Sequence, residues 1–537
     1  MKGNGWKALM GGSPPAGVAR GTRCRFLKRD SPIRFPPVRR LAPAVAAVLA
    51  FSLASPAHAA DLFLNDEPEV YAAIDRLSAL GYLPGFPVTV RPYSLEAVRK
   101  ATRQAPRTAD PDAFEGKLFR WLAGYVAPKA MGRLTGAVAH SDVRFTPGNN
   151  QGIPVPKGWS GWASVAAREE TTPRINGQVR FTSFYGEGSD NGNRLLDASI
   201  EAGVPWASVQ AGKLSSWYGP GRHGALIFTG NAAPYIGVRL HNPEPIAAPG
   251  RISFLGALRY DVFVARMEEK EQFSHSLLVG TRIAAKPGSL LEAGFSRTVH
   301  YDGSGRSNGI SEFSKAYFGD SEADGRSNTL TGFDITLTLP LAAQPLQGYW
   351  ESAVEDSSQL EQMFLPWSDA GGNILGLYLP RVLSYSRLDL RVEYADTYSG
   401  RAKDENWYGD PSYPHRYRGN ILGHPMGGSS RDWFVESRYS LQPDAYAGIS
   451  YEKLDHEGGD LAGESHSIVS AGLLGWLTKS WRGEVRASWD RVKDEGGGSG
   501  RDGTDVTVWV AITWQTNVLV PPDEEEVPLR EYQGVTQ

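Results

Sequence analysis

Cysteine is almost missing from this chain. The single one, Cys24, falls among the first sixty residues, so everything beyond has no thiol, no disulfide and no Cys-based metal site. A thiol-free chain suits passage through an oxidising periplasm, where stray cysteines cross-link. Past residue 60 there is also no run of about 18 apolar residues, which excludes a membrane-spanning helix there. Basic blocks are confined to the start: residues 1–59 hold ten Lys and Arg against one acid, Asp30, so the chain's −3 becomes about −12 without them. That acidity argues against nucleic acid or an anionic lipid face as partner. Catalytic signatures are lacking too, with no H-E-x-x-H, no G-x-S-x-G and no Walker loop. The ten histidines are scattered. His415 and His424 form the one close pair in a suggestive context, and their spacing fits no zinc motif, so neither metal nor cofactor is expected.

What is present begins with a leader. Basic residues from Arg20 to Arg40 precede an apolar stretch, Leu41 to Ala54, that is too short to span a bilayer and right for a signal-peptide core. Ala57-His58-Ala59 offers a small-residue cleavage site, so residues 1–60 are expected to be a signal peptide.

Residues 61–130 carry helical period. Val70, Ala73, Ile74, Leu77 and Leu80 form a stripe ending at Gly81, Ser94 is placed to cap a second helix, and Asp112 with Glu115 has capping-box spacing for a third. Phe114, Leu118, Leu122 and Tyr125 share one side of that third helix. From 131 to 517 the period becomes two. Arg387–Tyr394 puts Leu388, Leu390, Val392 and Tyr394 on one face and Arg387, Asp389, Arg391 and Glu393 on the other, and Asp505–Trp514 alternates likewise. A soluble sandwich would show the same alternation. Glycine-rich breaks, abundant aromatics at strand ends (Trp159, Trp162, Trp217, Tyr218, Tyr349, Trp476, Trp481 and Trp509 among them) and export favour an all-β outer-membrane barrel with girdles at both interfaces. Its length suits on the order of 16–18 strands. Residues 518–537 form an acidic tail, with Asp523–Glu526 solvated, while Glu355-Asp356 is expected to line the lumen or a loop.

The segment Gly212-Lys-Leu-Ser-Ser-Trp-Tyr-Gly-Pro-Gly221, continuing through Leu226-Ile-Phe-Thr-Gly-Asn-Ala-Ala-Pro234, resembles the signature of the Wzi family of capsule-assembly outer-membrane proteins. Thr229-Gly230 stands where Ser-Asn is usual. Leu278–Arg282, Leu291–Phe295, Gly332–Asp334, Glu393–Thr397, Tyr413–Tyr417 and Leu80–Pro84 extend the likeness in order along the chain. The resemblance implies a barrel of about 18 strands closed at the periplasmic end by a small helical bundle. It also implies a lectin-like role in holding capsular polysaccharide or exopolysaccharide at the cell surface, without covalent chemistry.

Candidate saccharide contacts are Trp217, Tyr218, Asn231, Asp396, His415, Arg416 and Tyr417, since sugars are held by aromatic faces and by Asp, Asn, Arg and His. Gly219, Pro220, Gly221 and Pro234 are expected to shape the same loop, and the Trp-Tyr-Gly-Pro-Gly run also reads as a tight bend. The expected partners are surface polysaccharide, outer-membrane lipid and the polysaccharide export machinery. The alternative is a porin-like channel, and the position of residues 61–130 separates the two. A third reading, an outer-membrane hydrolase, requires a Ser–His pair.

Overall fold

In the computed structural model, residues 63–516 are described, apart from 65–66, 105–109, 111, 129, 173–174, 188–190, 269–272, 307–308, 319–324, 356–362, 365–370, 384 and 399–406. The expected signal peptide and acidic tail lie outside the described residues.

Three helices lead: α1 (Pro68–Ala79), α2 (Leu95–Gln104) and α3 (Phe114–Val126). The stripe of α1 is buried as its spacing requires, and the helix closes where Gly81 N–H and Tyr82 N–H return to the carbonyls of Ser78 and Leu77. Ser94 Oγ accepts the Ala97 N–H at 3.0 Å, the cap expected for α2. Asp112 does not cap α3. Ala113 holds the cap position and the Asp112 N–H bonds to Asp110, so this helix starts without side-chain help.

Eighteen strands follow and close into one antiparallel barrel. The first five are β1 (Ala130–Ser141), β2 (Gly158–Thr172), β3 (Ile175–Gly186), β4 (Gly192–Val204) and β5 (Ala207–Leu214). Next come β6 (Tyr235–His241), β7 (Ala257–Arg266), β8 (Leu277–Lys286), β9 (Leu291–Tyr301) and β10 (Ser327–Leu339). A loop helix absent from the sequence reading, α4 (Ile310–Phe318), sits between the last two, its Ala316 packed with Val279, Val299 and Tyr301. Then come β11 (Leu346–Glu355), β12 (Gly371–Leu379), β13 (Leu388–Asp396) and β14 (Ser430–Gln442). The last four are β15 (Ala445–His456), β16 (Ser465–Trp476), β17 (Trp481–Lys493) and β18 (Gly503–Thr516). Closure comes from β18 against β1, where Trp514 faces Leu134 and Thr507 faces Ser141.

Alternation sorts the residues as a lipid-facing wall demands. On β18, Val506, Val508, Val510 and Ile512 point out, while Ala511 and Thr513 are buried inside. On β13 the charged face, Asp389, Arg391 and Glu393, is buried in the lumen. The exposed aromatics of the wall are partly other residues than the sequence suggested, Trp433, Trp489 and Tyr185 among them. Trp159 and Trp481 are exposed on the wall, but Trp162 and Trp509 stack 4.7 Å apart beside an inner cluster. Tyr349 and Trp476 likewise turn inward, to Glu393 and Glu69. Strand position fixes a side chain's height, whereas only register fixes its face.

The helical head lies within the end of the barrel that carries the short turns, the periplasmic end of such barrels. Its contacts run round the wall. Glu67 meets Arg133 and Arg168, Glu69 meets Arg482, and Glu292 accepts the N–H groups of Val88 and Thr89. Lys286 reaches the Phe86 carbonyl, and Arg259 that of Pro92.

Candidate functional site

Above the head, residues 215–234 dive into the lumen instead of crossing the rim. Val90 and Arg91 of the head pair with Tyr218 and Trp217 as a two-stranded ribbon, which ties this inward loop to the layer below. Gly219 has φ +139°, and a Cβ there would stand 2.4 Å from Glu351 Oε2; at Gly221 it would meet the Gly224 carbonyl at 2.0 Å. The bend therefore needs glycine at both places.

Buried carboxylates from the wall hold the loop by its backbone. Glu393 accepts the N–H groups of Arg222 (2.8 Å) and His223 (3.0 Å), and Glu351 accepts that of Leu226 (2.8 Å). Arg222 reaches Asp75 of α1 at 2.6 Å, where Arg91 and Arg391 converge as well. Burial alone raises the Asp75 pKa, but these three guanidiniums together hold it below the usual carboxylate range. His223 stacks on Phe434 and pairs with Asp432 and Glu452. Burial opposes its charge, yet those two acids hold its pKa well above the ordinary value.

A second long segment, residues 407–429, covers the first. Thr229 N–H bonds to the Leu422 carbonyl, Tyr408 OH to the Leu226 carbonyl, and Asn231 Nδ2 to the Ile421 carbonyl. Glu355 anchors this cover by accepting the Tyr408 N–H. Between the two loops lies an apolar core, in which Leu226, Ile227 and Phe228 meet Trp407, Tyr408, Leu422 and Met426. An apolar core across the lumen is the opposite of a water-filled pore.

His415 and His424 are locked into this core. His415 Nε2 bonds to the Ile227 carbonyl at 2.7 Å, and His424 Nδ1 accepts the Met426 N–H. Burial pushes the His415 pKa down to about 4; burial, helped by His223, takes His424 well below its usual value. A base whose folded pKa is depressed contributes fully above its unfolded pKa of about 6.5, and that contribution fades as pH falls toward the folded value. Lowering pH from 7 to 5 should thus cost roughly 2 kcal/mol at His415, with His223 returning less than about 1 kcal/mol. Hydrogen exchange across 407–429, corrected for intrinsic rates, should quicken at pH 5. In His415→Gln that pH dependence should shrink by the share of His415, with the share of His424 remaining.

The expected saccharide residues separate into three groups. Trp217 is buried with its Nε1 on the Gly221 carbonyl, and Tyr218 is wholly buried with its hydroxyl on Asp261. Both sit deep, against the head, beside Gly219, Pro220 and Gly221. Asn231, His415, Arg416 and Tyr417 gather around a hairpin in which Arg416-Tyr417 pairs with Asn420-Ile421 through a turn at Arg418-Gly419. Pro234 adjoins them through its carbonyl, which accepts from Lys213. Asp396 stands apart at the top of β13, held by the Tyr398 N–H, Tyr394 and Arg431.

The hairpin tip carries what the sequence reading missed. Arg418 is 44 % exposed and shares Glu268 through its backbone N–H and its guanidinium. Arg194 of β4 and Lys213 of β5 lie near enough to Arg418 to act on it and on each other electrostatically. Three half-open cations thus gather over one carboxylate at the mouth, flanked by Gln151, Asn420 and the edge of Tyr417. The available signal was Lys213, inside the motif that carried the resemblance and one residue from the end of its strand.

Comparison with known proteins agrees with this architecture. The capsule assembly protein Wzi family matches residues 130–495. A 55.8 kDa Klebsiella pneumoniae protein of the cps region, itself uncharacterized, is 27 % identical over 326 residues, 59 % of this chain and 62 % of that protein, so the match spans under two thirds of the relative. The Escherichia coli structure described as Wzi, an outer membrane protein involved in group 1 capsule assembly and a carbohydrate-binding β-barrel, superposes with a TM-score of 0.67 at 18 % identity. That match covers 85 % of this chain and 99 % of that one. Pseudomonas aeruginosa OprD reaches a TM-score of 0.46 at 10 % identity over 73 % of this chain and 96 % of its own. With its family matched through most of its length and an 18-strand barrel closed on itself, this chain belongs to the Wzi capsule assembly family and is an outer-membrane protein of a Gram-negative bacterium.

Proposed function

We propose that this protein binds surface polysaccharide at the outer mouth of its barrel and so helps hold it at the cell, without covalent chemistry. The observation that carries the reading is the cationic group Arg194, Lys213 and Arg418, half-open to solvent above a lumen filled by two loops and the helical head. Guanidinium and ammonium groups clustered on one face favour a glycan bearing carboxylate or other acid groups. Asn420, Gln151 and Arg416 supply neutral or charged donors to hydroxyls around it. Tyr417, nearly enclosed between Tyr235 and Arg418, supports the hairpin more than it offers a stacking face. The chain's acidity leaves this patch as a local exception, so binding there depends on the cluster and not on overall charge. Polysaccharide export proteins as partners belong to the same proposal.

A strain deleted for this protein should still make its surface polysaccharide but shed it into the medium. The wild-type copy should restore retention, and R194Q/K213Q/R418Q, present in the outer membrane at normal level, should not. Full restoration by that triple variant would remove the patch from the proposal.

A further inference from the structure

We propose a transition-metal site, of the kind zinc takes, on the outer rim of the barrel, formed by His456, Glu464 and His466. His456 ends β15, His466 begins β16, and Glu464 closes the loop between them. One ligand atom from each lies within 4.8 Å of the other two. A tetrahedral zinc with ligands at about 2.0–2.1 Å holds them roughly 3.3 Å apart, so a modest closure of a surface loop suffices.

What distinguishes the trio from a chance cluster is the way its outer atoms are held. Ser430 Oγ donates its one proton to the Gly428 carbonyl at 2.8 Å, so its contact with His456 Nδ1 at 2.9 Å has the imidazole as donor. That fixes the tautomer and leaves the lone pair of His456 on Nε2. His466 Nδ1 meets Asp490 Oδ2 at 2.7 Å, the carboxylate–histidine arrangement that orients metal-binding imidazoles, which leaves Nε2 turned to Glu464 Oε1 at 2.9 Å. Glu464 is itself held through Oε2, which accepts the Gly496 N–H. Each of the three thus has one atom tied to a supporting group and another turned toward a common point, where a metal would replace the present contact between His466 Nε2 and Glu464 Oε1. Two imidazoles and one carboxylate form a zinc-type donor set, too rich in nitrogen for calcium or magnesium. Asp505, which has Asp490, Glu495 and Asp142 around it and lies near enough to His466 to act on it, adds negative potential at the same rim. The position gives the ion a task. Ser430, which orients His456, begins β14, and the Glu457 N–H bonds to the Ser429 carbonyl, so a bound ion would clasp the foot of the long loop that roofs the lumen.

The test uses the full mature protein, folded in detergent and purified without a histidine tag. Titration with zinc alone against a chromophoric chelator should show one saturable equivalent, and cobalt in its place should give the visible absorption of a four-coordinate site. His456→Ala and Glu464→Gln should each weaken binding at least tenfold. Asp490→Asn and Ser430→Ala, which keep all three ligands, should weaken it less, and His275→Gln should leave it unchanged. Heat-modifiable migration on gels confirms that each variant has closed its barrel. Absence of a saturable equivalent, or an affinity untouched in both Asp490→Asn and Glu464→Gln, would reduce the cluster to ion pairs and overturn the proposal.

Discussion

Replacing Glu393 by Ala should free the inward loop and open it to protease. One carboxylate accepts two consecutive backbone N–H groups, those of Arg222 and His223, as well as the Tyr349 hydroxyl. Arg391 stands beside it at 3.9 Å. Truncation leaves two buried amides without acceptors and a buried guanidinium with Asp75 as its remaining carboxylate beside the Tyr349 hydroxyl, a loss of about 3–5 kcal/mol at a site where nothing can slide in to compensate. The barrel itself should survive, because its ladder is complete without the loop. The expected result is rapid tryptic cleavage after Arg222 in the folded, heat-modifiable variant, while the wild type resists. Glu393→Gln, which keeps one acceptor oxygen and loses the charge, should fall between. Equal resistance in all three would mean that the apolar layer holds the loop without the carboxylate.

Removing residues 61–129 should have a smaller effect on conductance than a simple plug implies, and the reason lies in the same loop. From sequence, deleting the head is expected to open the barrel. The structure adds a second closure: Leu226, Ile227 and Phe228 meet Trp407, Tyr408 and Leu422 across the lumen above it. Head deletion alone should therefore yield small, noisy steps in planar bilayers. Replacing 216–233 with a short Gly-Ser link in the same variant should give large, steady channels. Those channels should prefer anions, since Arg133, Arg168, Arg259, Lys286 and Arg482 lose head partners and face water, with Glu292 the main acid released among them. Large conductance from the head deletion alone would show that the inward loop depends on the ribbon between Val90-Arg91 and Trp217-Tyr218.

Much of this was legible because strand register is written in alternation. Val506, Val508, Val510 and Ile512 face lipid and Asp389, Arg391 and Glu393 face in, as the period of two requires. The α1 stripe and the Ser94 cap were readable for the same kind of local reason. The inward loop was not. Leu226-Ile227-Phe228 is apolar enough to pass for membrane wall, and only contacts with residues some 125 to 190 positions away turn it inward. Tyr218 looked like a sugar platform because its motif is aromatic and glycine-rich, yet its hydroxyl is occupied by Asp261. The cationic mouth was missed because Arg194, Lys213 and Arg418 come from two strands and a hairpin more than two hundred residues apart in sequence. Only the ordered motifs of a resemblance could point at polysaccharide, and they marked the scaffold of the loop better than its outer face.

The central claim is that the mouth of this barrel binds an acidic surface glycan. It is tested most directly by equilibrium binding of the host's own surface polysaccharide to the purified, detergent-folded protein. Saturable binding is predicted, weakened at least tenfold in R194Q/K213Q/R418Q and by raised salt. Absence of binding, with steady conductance in bilayers from the intact protein, would contradict the account and favour a channel.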